Sequence, residues 1–185
     1  MRIEETVLKD CFLIHDTFFG DERGYFFESF NRKTFRAKTG MEMDFVQDNQ
    51  SRSQKGVLRG LHFQQAAFAQ AKLVRVLKGK VLDVAVDLRK SSATFGKHCA
   101  VELSEDSHTQ LFVPRGFAHG FVVLSEEAVF FYKCDNYYEK TSEAGIMYND
   151  IDLAIDWRLP ESEIILSEKD KKLPGFKEAM STINL

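Results

Sequence analysis

The strictest constraint on the fold is a period-two pattern of side chains that dominates residues 72–88. A period of two turns successive side chains to opposite faces of an extended strand and does not fit a helix. In the second half of the run, the two faces carry Leu82, Val84, Val86 and Leu88 against Asp83, Ala85 and Asp87. In the first half, they carry Val74 and Val76 against Leu73, Arg75 and Leu77. The pattern predicts two strands, joined by a hairpin at Lys78-Gly79-Lys80.

Similar alternation elsewhere in the chain indicates a fold of many short strands. Further strands are predicted at about 11–19, 24–30, 44–50, 57–64, 98–104, 110–114, 119–124, 128–134 and 144–148, with Val and the 17 Phe residues filling inward positions. Helix signals are few: Asn31 can cap a short helix through Lys38 that ends at Gly40, and another can begin near Ser167. We therefore expect a mainly β sandwich or barrel with a few short helices.

Chain length, net charge and the scarcity of proline and of Gly/Ser-rich linkers restrict the number of domains and the kinds of binding partner. The 185 residues contain only three prolines and no Gly/Ser-rich linker, so residues 1–185 are interpreted as one domain. The net charge of −3 gives no general attraction to nucleic acid or to an anionic membrane. A phosphate-bearing ligand must therefore be held by a few local basic residues.

The terminus and the cysteines favour a cytoplasmic protein. The first residues, MRIEETVLKD, are charged and lack the apolar core of a signal peptide, and no stretch approaches the ~18 apolar residues of a membrane span. Cys11, Cys99 and Cys134 are odd in number and widely spaced, which argues against a disulfide framework and against a thiolate metal site.

Two histidines and a lysine lie at positions that the strand pattern turns inward. Strict alternation places His62 of GVLRGLHFQ with Leu58 and Gly60, His119 of PRGFAHGF with Phe117, Phe121 and Val123, and Lys72 with Val74 and Val76. Each has an ordinary alternative, namely a hydrogen-bonded core histidine or a strand-end lysine that reaches water. Together with Tyr132 they instead predict a polar pocket in the mouth of a β-barrel, a common form of small-molecule site.

Metal and phosphate ligands are the next question. PRGFAHGF resembles the second metal-binding motif of the cupins, but the first motif has Gln64 where its second histidine would stand and no matching glutamate. One or two imidazoles hold a metal poorly, so the site is predicted to be metal-free. Arg23 and Arg59 each precede a glycine, which lets backbone approach a phosphate beside a guanidinium; taken alone, each arginine is more often a surface charge.

Eight segments of the chain together resemble one known family. In order they are GDERGYFFE, FVQDNQSRS, VLRGLHFQ, AQAKLVRVLKGKVLDVAVDLR, TFGKH, VPRGFAHGFVVLSE, YKCDNYY and LSEKD, and they cover about residues 18–170. The family is that of the dTDP-4-dehydrorhamnose 3,5-epimerases. The resemblance implies a cupin-type jelly-roll β-barrel and a cofactor-free homodimer. It also implies conversion of dTDP-4-dehydro-6-deoxy-D-glucose to dTDP-4-dehydro-L-rhamnose, in the dTDP-L-rhamnose biosynthesis that serves cell-surface polysaccharide.

The resemblance also assigns roles to individual residues. The family's catalytic base matches His62, and the carboxylate that hydrogen-bonds it matches Asp170. The lysine near the developing enolate matches Lys72, the second pocket histidine matches His119, and the acid tyrosine matches Tyr132. A base, an acid and an enolate stabiliser are what epimerisation beside a ketone requires.

The implied substrate-binding set is larger and spans the chain. By resemblance, the diphosphate and sugar are held by Arg23, Gln47, Asn49 and Arg59, and the thymine lies near Phe19, Glu28 and Tyr138. Family dimers complete each pocket with residues of the partner subunit. The loop from Gln64 to Gln70 varies in the family and bears on substrate choice.

Three alternatives stay open at this point. One is a related sugar-nucleotide ketoisomerase or an epimerase that acts at one carbon only. Another is a non-catalytic sugar-nucleotide-binding barrel, in which His62, Asp170 and Tyr132 would have no reason to coexist. The last is a metal-dependent cupin oxygenase, which the missing histidine pair opposes.

Overall fold

Two antiparallel sheets that face each other form the body of the protein in a computed structural model that describes residues 1–183. The strands, in chain order, are β1 (Arg2–Glu5), β2 (Phe12–His15), β3 (Phe19–Asp21), β4 (Gly24–Phe26), β5 (Gln47–Gln54), β6 (Leu58–Gln64), β7 (Lys72–Lys78), β8 (Lys80–Asp87), β9 (His98–Ser104), β10 (Thr109–Val113), β11 (Phe117–Val123), β12 (Glu127–Cys134) and β13 (Glu143–Gly145). The expectation of a mainly β fold is confirmed.

The strand order separates the two sheets cleanly. One sheet has six strands in the order β1-β2-β10-β7-β12-β5, and the other has five in the order β13-β6-β11-β8-β9. Strands β3 and β4 form a small hairpin of their own. The interior between the sheets is apolar at one end, where Val76, Leu103 and Phe130 pack together, and it becomes polar toward the residues described below.

The strong apolar alternation of β8 faces away from that interior. Leu82, Val84 and Val86 pack against residues 146–183, which we call the C-terminal segment, and in particular against Trp157 and Met180. Asp83 and Ala85 face the inside instead. The C-terminal segment covers the outer face of β8, and β8 is therefore buried on both sides.

Lys78-Gly79-Lys80 is a tight turn, but the predicted hairpin is wrong. The turn joins β7 in the six-stranded sheet to β8 in the five-stranded sheet, so the two strands are not hydrogen-bonded neighbours. Gly79 has a φ of 77°, and its N–H donates to the Glu105 carboxylate at 2.8 Å. The sequence pattern of two strands and a glycine turn does not say whether the chain folds back within one sheet or crosses to another.

The two α-helices are short. Helix α1 (Arg32–Thr39) begins with Asn31, whose side chain accepts a hydrogen bond from the Thr34 N–H, and ends at Gly40 with a φ of 73°, as predicted. It covers the outer face of the six-stranded sheet through Phe35. Near Ser167 the chain forms a 3₁₀ turn, Asp170–Lys172, before helix α2 (Phe176–Thr182).

No helix within residues 1–183 combines the length and apolar character needed to cross a membrane. The three cysteines are free thiols, and all are buried.

Candidate active site

The site is built around the pairing of β6 with β11 in the five-stranded sheet. His62 lies directly opposite His119, and Arg59 lies opposite Phe121, so the register shifts by one residue between these pairs. The shift is a β-bulge, in which two residues of β6 face Gly120 alone. Cross-strand partners share a face, and His62, His119 and Arg59 therefore point to the same side.

Gly60 makes this bulge possible. Its φ is 120°, and a Cβ added to it would lie 2.6 Å from the Gly120 Cα and 2.7 Å from the His119 carbonyl oxygen. Only a glycine fits such a close approach of two backbones. The prediction that His62 shares a face with Leu58 and Gly60 is wrong, because the extra residue reverses the alternation; Leu58 packs with Leu61 on the outer side.

His62 is paired with a carboxylate from far along the chain. Its Nε2 lies 2.6 Å from Oδ1 of Asp170, which is 4% exposed at the start of the 3₁₀ turn. Burial acts to raise the pKa of Asp170, but the hydrogen bond and the charge of His62 outweigh it, and the pKa is lowered. A carboxylate in this position fixes the tautomer and the orientation of the imidazole.

His119 has a carboxylate partner of its own. Its Nε2 lies 2.9 and 3.0 Å from the two oxygens of Asp83, which is fully buried on β8. The His119 ring also stacks on Phe130, with the ring centroids 6.2 Å apart. Asp83 is not identified as a site residue in the sequence analysis, because in the sequence it looks like an ordinary polar residue of a strand. The available signal was the presence of an aspartate in a strand whose residues are mostly apolar.

Lys72 and Tyr132 approach from the opposite sheet. Lys72 opens β7, and its Nζ lies 5.8 Å from the centroid of the Tyr132 ring on the neighbouring β12. Within residues 1–183 the Lys72 ammonium makes no hydrogen bond or ion pair. Burial lowers the pKa of Lys72 and raises the pKa of Tyr132, because it disfavours the charged form of each.

Polar residues of β5 line the same side. The Arg59 Nε donates to the Ser53 hydroxyl at 3.1 Å, and the terminal guanidinium nitrogens make no hydrogen bond within residues 1–183. Gln47 donates from Nε2 to the Asn49 side-chain oxygen at 3.1 Å, and Asn49 donates to the Cys134 sulfur at 3.7 Å. These contacts fix the amide orientations at the rim of the site.

The remaining predicted binding residues are exposed and lie outside the cavity of this chain. Phe19 and Arg23 belong to the β3–β4 hairpin, where Arg23 pairs with Asp21 at 2.5 Å. Glu28 follows the hairpin and accepts a hydrogen bond from Asn31.

Tyr138 stands at the rim next to β5. Its N–H donates to the Gln47 side-chain oxygen at 3.0 Å, and its hydroxyl donates to Glu143 at 2.7 Å. The hydrogen bond to Glu143 raises the pKa of Tyr138 to about 12. Lys169 pairs with the same carboxylate at 2.5 Å, so Glu143 joins this rim to the segment that carries Asp170. Neither Glu143 nor Lys169 was predicted.

One cavity of about 480 Å³ brings most of the predicted residues together. Its lining includes His62, Asp170, Lys72, Tyr132, His119, Arg59 and Asn49. A wider, more open cleft of about 980 Å³ lies near the Gly79 turn, but its Lys78, Arg52 and Glu127 side chains pair with one another. The smaller cavity is the candidate active site.

Residues 1–183 contain no group of three or more His, Cys, Asp or Glu side chains placed to share a cation. What the cavity does hold is an imidazole with a carboxylate behind it, a phenol and an ammonium group. This combination suits removal of a proton from a carbon beside a carbonyl and its return by a second group.

Comparisons with known proteins agree with this chemistry. The family model for dTDP-4-dehydrorhamnose 3,5-epimerase matches residues 5–178. The dTDP-4-dehydrorhamnose 3,5-epimerase of Shigella flexneri is 52% identical over 179 residues, which are 97% of this chain and 98% of that protein.

Solved structures show the same relationship. The crystal structure of the dTDP-4-dehydrorhamnose 3,5-epimerase of Elizabethkingia anophelis has a TM-score of 0.94 and 59% identity, over 96% of this chain and 97% of the other. The dTDP-6-deoxy-D-glucose-3,5-epimerase of Legionella pneumophila, solved with dTDP-4-keto-L-rhamnose, has a TM-score of 0.91 and 48% identity, over 99% and 94%. The predicted cupin-type fold is thereby confirmed. The chain belongs to the dTDP-4-dehydrorhamnose 3,5-epimerase family.

Proposed function

We propose that this protein converts dTDP-4-dehydro-6-deoxy-D-glucose to dTDP-4-dehydro-L-rhamnose by inverting the two carbons that flank the keto group. The observation that carries the proposal is the 2.6 Å contact between His62 and Asp170 in a cavity that also holds Tyr132. A buried carboxylate behind a cavity-facing imidazole is suited to proton abstraction. Family membership supplies the substrate.

His62 is the base in this scheme. Its ring is half-buried, so one nitrogen bonds Asp170 while the other faces the cavity. Taking a proton from the sugar makes an imidazolium, which the negative charge of Asp170 stabilises. Because the pKa of Asp170 is lowered, this carboxylate stays ionised when His62 takes up the proton.

Lys72 stabilises the negative charge that develops on the keto oxygen. Its ammonium lies beside the Tyr132 ring and has no carboxylate partner within residues 1–183, so its charge is available to the substrate. A preorganised donor at a developing oxyanion typically contributes ~3–4 kcal/mol. Tyr132 returns a proton to the opposite face of the sugar; its raised pKa keeps the phenol protonated until it is needed.

Binding of the nucleotide divides between this chain and a partner. Arg59 and Asn49 line the cavity, and Gln47 orients Asn49, which supports their role in holding sugar and diphosphate. Arg23, Phe19 and Glu28 lie outside that cavity. We therefore assign them to the pocket of a second copy.

Exposed aromatic rings support the homodimer that this assignment requires. Phe19, Tyr25 and Phe26 on the β3–β4 hairpin are 64%, 62% and 70% exposed. Exposed apolar surface of this kind is typical of a protein–protein contact. The paired hairpins of a symmetric dimer would each reach the other subunit's cavity. Sedimentation of the purified protein tests this, with a monomer as the contradicting result.

We further infer a single-domain, metal-free enzyme of the cytoplasm, whose product passes to a reductase in dTDP-L-rhamnose biosynthesis for cell-surface polysaccharide. No group of three or more His, Cys, Asp or Glu side chains in the described residues is placed to share a cation, which supports the metal-free assignment. Metal analysis of the purified protein tests it, and stoichiometric iron, nickel or manganese would contradict it.

The activity is tested by product identification. Purified protein is incubated with dTDP-4-dehydro-6-deoxy-D-glucose, the keto sugar is trapped by reduction with borohydride, and the sugars are released and separated. The proposal predicts that 6-deoxy-L-sugars, rhamnose among them, appear only with active enzyme. Products inverted at a single carbon would indicate a regioselective epimerase, and unchanged sugar would contradict the proposal.

A further inference from the structure

Asp83 is a buried carboxylate that the proton-transfer scheme does not use. It is fully buried on β8, and both of its oxygens lie within 3.0 Å of one atom, the Nε2 of His119. No other hydrogen bond or ion pair to this carboxylate is present within residues 1–183. Burying a carboxylate without a donor is expensive, so Asp83 and His119 form one polar unit.

The residues around His119 hold its ring in one orientation. The residue is 7% exposed, stacks on Phe130 and sits in β11 between His62 of β6 and Ala85 of β8. Asp83 is two residues from Ala85 and faces the same side of the sheet. The Asp83 carboxylate therefore contacts one edge of the His119 ring from the inside of the barrel. The other edge of the ring lines the cavity.

The hydrogen bond decides which nitrogen carries hydrogen. An ionised carboxylate only accepts, so the Nε2 that contacts it must be the protonated nitrogen. Nδ1 has no hydrogen-bond partner within residues 1–183, and His119 lines the cavity next to His62. Nδ1 is thus the atom that His119 offers to a bound sugar.

We propose that Asp83 is a positioning residue for the epimerisation: it holds His119 in the orientation and the Nε2–H form that present Nδ1 to the sugar. The effect on catalysis rests on the proposed function. The protonation and orientation of the His119 ring do not rest on the proposed function, because they are properties of the protein without substrate. The two parts can therefore be tested separately.

The ring state is measured by nitrogen NMR of the substrate-free protein with ¹⁵N-labelled histidine. The signals of His119 are assigned by their loss in His119→Gln. The expected result is a hydrogen on Nε2 in the wild type, and a loss of that fixed state in Asp83→Asn, whose amide can donate to the ring instead. A wild-type His119 with hydrogen on Nδ1 only would overturn the proposal, even if every variant misfolded.

The effect on catalysis is measured with Asp83→Asn. In metal sites, loss of a carboxylate that orients a ligating histidine typically lowers activity by roughly ten- to a hundredfold, and the same kind of contact is lost here. We expect a fall of that size in kcat, with KM within about twofold of the wild type. The matched control is Asp87→Asn, since Asp87 is also a fully buried carboxylate of β8 but bonds Arg89, Ser92 and Thr94 away from the cavity. It should lower the melting temperature and leave kcat unchanged.

A double variant shows whether Asp83 acts through His119. If it does, Asp83→Asn should change kcat little in a protein that already carries His119→Gln. An equal fall in both backgrounds would mean that Asp83 acts through the fold or through its charge on Lys72, and the proposal would be overturned. A wild type that shows the expected ring state but no turnover would refute the proposed function and leave the assignment of the ring intact.

Discussion

His62 and Asp170 lie 2.6 Å apart although 108 residues separate them in the chain. His62 belongs to β6, and Asp170 belongs to the C-terminal segment, which packs on the outside of the same sheet and also lines the cavity through Ile165, Leu166 and Asp170. The packing that buries Leu82 and Val84 thus also places the Asp170 carboxylate at the cavity. Stability of the sheet and orientation of the proposed base depend on the same contacts.

Asp170→Asn is expected to lower kcat severely while the fold survives. The amide keeps the size of the side chain but can donate to Nε2 of His62 and so favour the wrong tautomer. In a comparable histidine–aspartate pair this change costs roughly 10⁴-fold, and we expect about 10²- to 10⁴-fold here. Turnover and circular dichroism of the two proteins check this; near wild-type kcat would show that Asp170 does not orient the base.

The alkaline limit of activity should be set by Lys72. Burial lowers its pKa below the usual 10.5, whereas burial raises the pKa of Tyr132 above the usual 10.0. A lysine must be protonated to stabilise an enolate, so kcat/KM should be lost as pH rises through the lowered pKa. Lys72→Arg should move this loss to higher pH, because a guanidinium stays charged.

The control for this pH profile is Tyr132→Phe. Removing the phenol should reduce kcat/KM at every pH without moving its alkaline fall. If Lys72→Arg leaves the position of the fall unchanged, a different group sets the limit and the role of Lys72 as the charged stabiliser is wrong.

Ser53→Ala should weaken substrate binding and spare the chemical step. Ser53 is 7% exposed, and its hydroxyl accepts from the Arg59 Nε at 3.1 Å, which holds in place the guanidinium that is proposed to bind the diphosphate. A hydrogen bond of about 1 kcal/mol corresponds to a KM increase of roughly three- to tenfold, with kcat unchanged. Ser104→Ala is the control, because Ser104 is similarly buried on β9 and bonds Ser107. An unchanged KM in Ser53→Ala would contradict this positioning role.

Gly60→Ala should destabilise the protein more than Gly24→Ala. The two glycines have similar φ values, 120° and 129°, so both substitutions carry a backbone penalty of about 1–3 kcal/mol. At Gly24 nothing lies within 4 Å of the added Cβ, whereas at Gly60 it meets the backbone of β11. Overpacking should add about 1–3 kcal/mol at Gly60 alone. Urea unfolding of both variants measures the difference, and equal losses would argue against the crowded bulge.

Much of the fold is readable from local patterns, and the errors have local causes. Period-two alternation located most strands, and Asn31 and Gly40 predicted both ends of α1. β1 was missed, because its residues are mostly charged. The bulge at Gly60 was also missed, since one inserted residue leaves the composition of a strand unchanged while reversing its faces.

The site was less accessible to such reasoning. Inward placement of His119 and Lys72 followed from alternation, but His62 and Asp170 were joined only by family resemblance, because no local pattern links residues so far apart in sequence. Asp83 was assigned to a polar face, and only the covering of the other face by the C-terminal segment shows that it points into the barrel.

The most direct test of the proposed mechanism is deuterium incorporation from deuterium oxide into dTDP-4-dehydro-6-deoxy-D-glucose, followed by proton NMR at sugar C3 and C5 with the wild type and with His62→Ala. If His62 is the base, the wild type exchanges both positions and His62→Ala exchanges neither. Exchange at both positions that persists in His62→Ala, or no exchange with the folded wild type, would contradict the account.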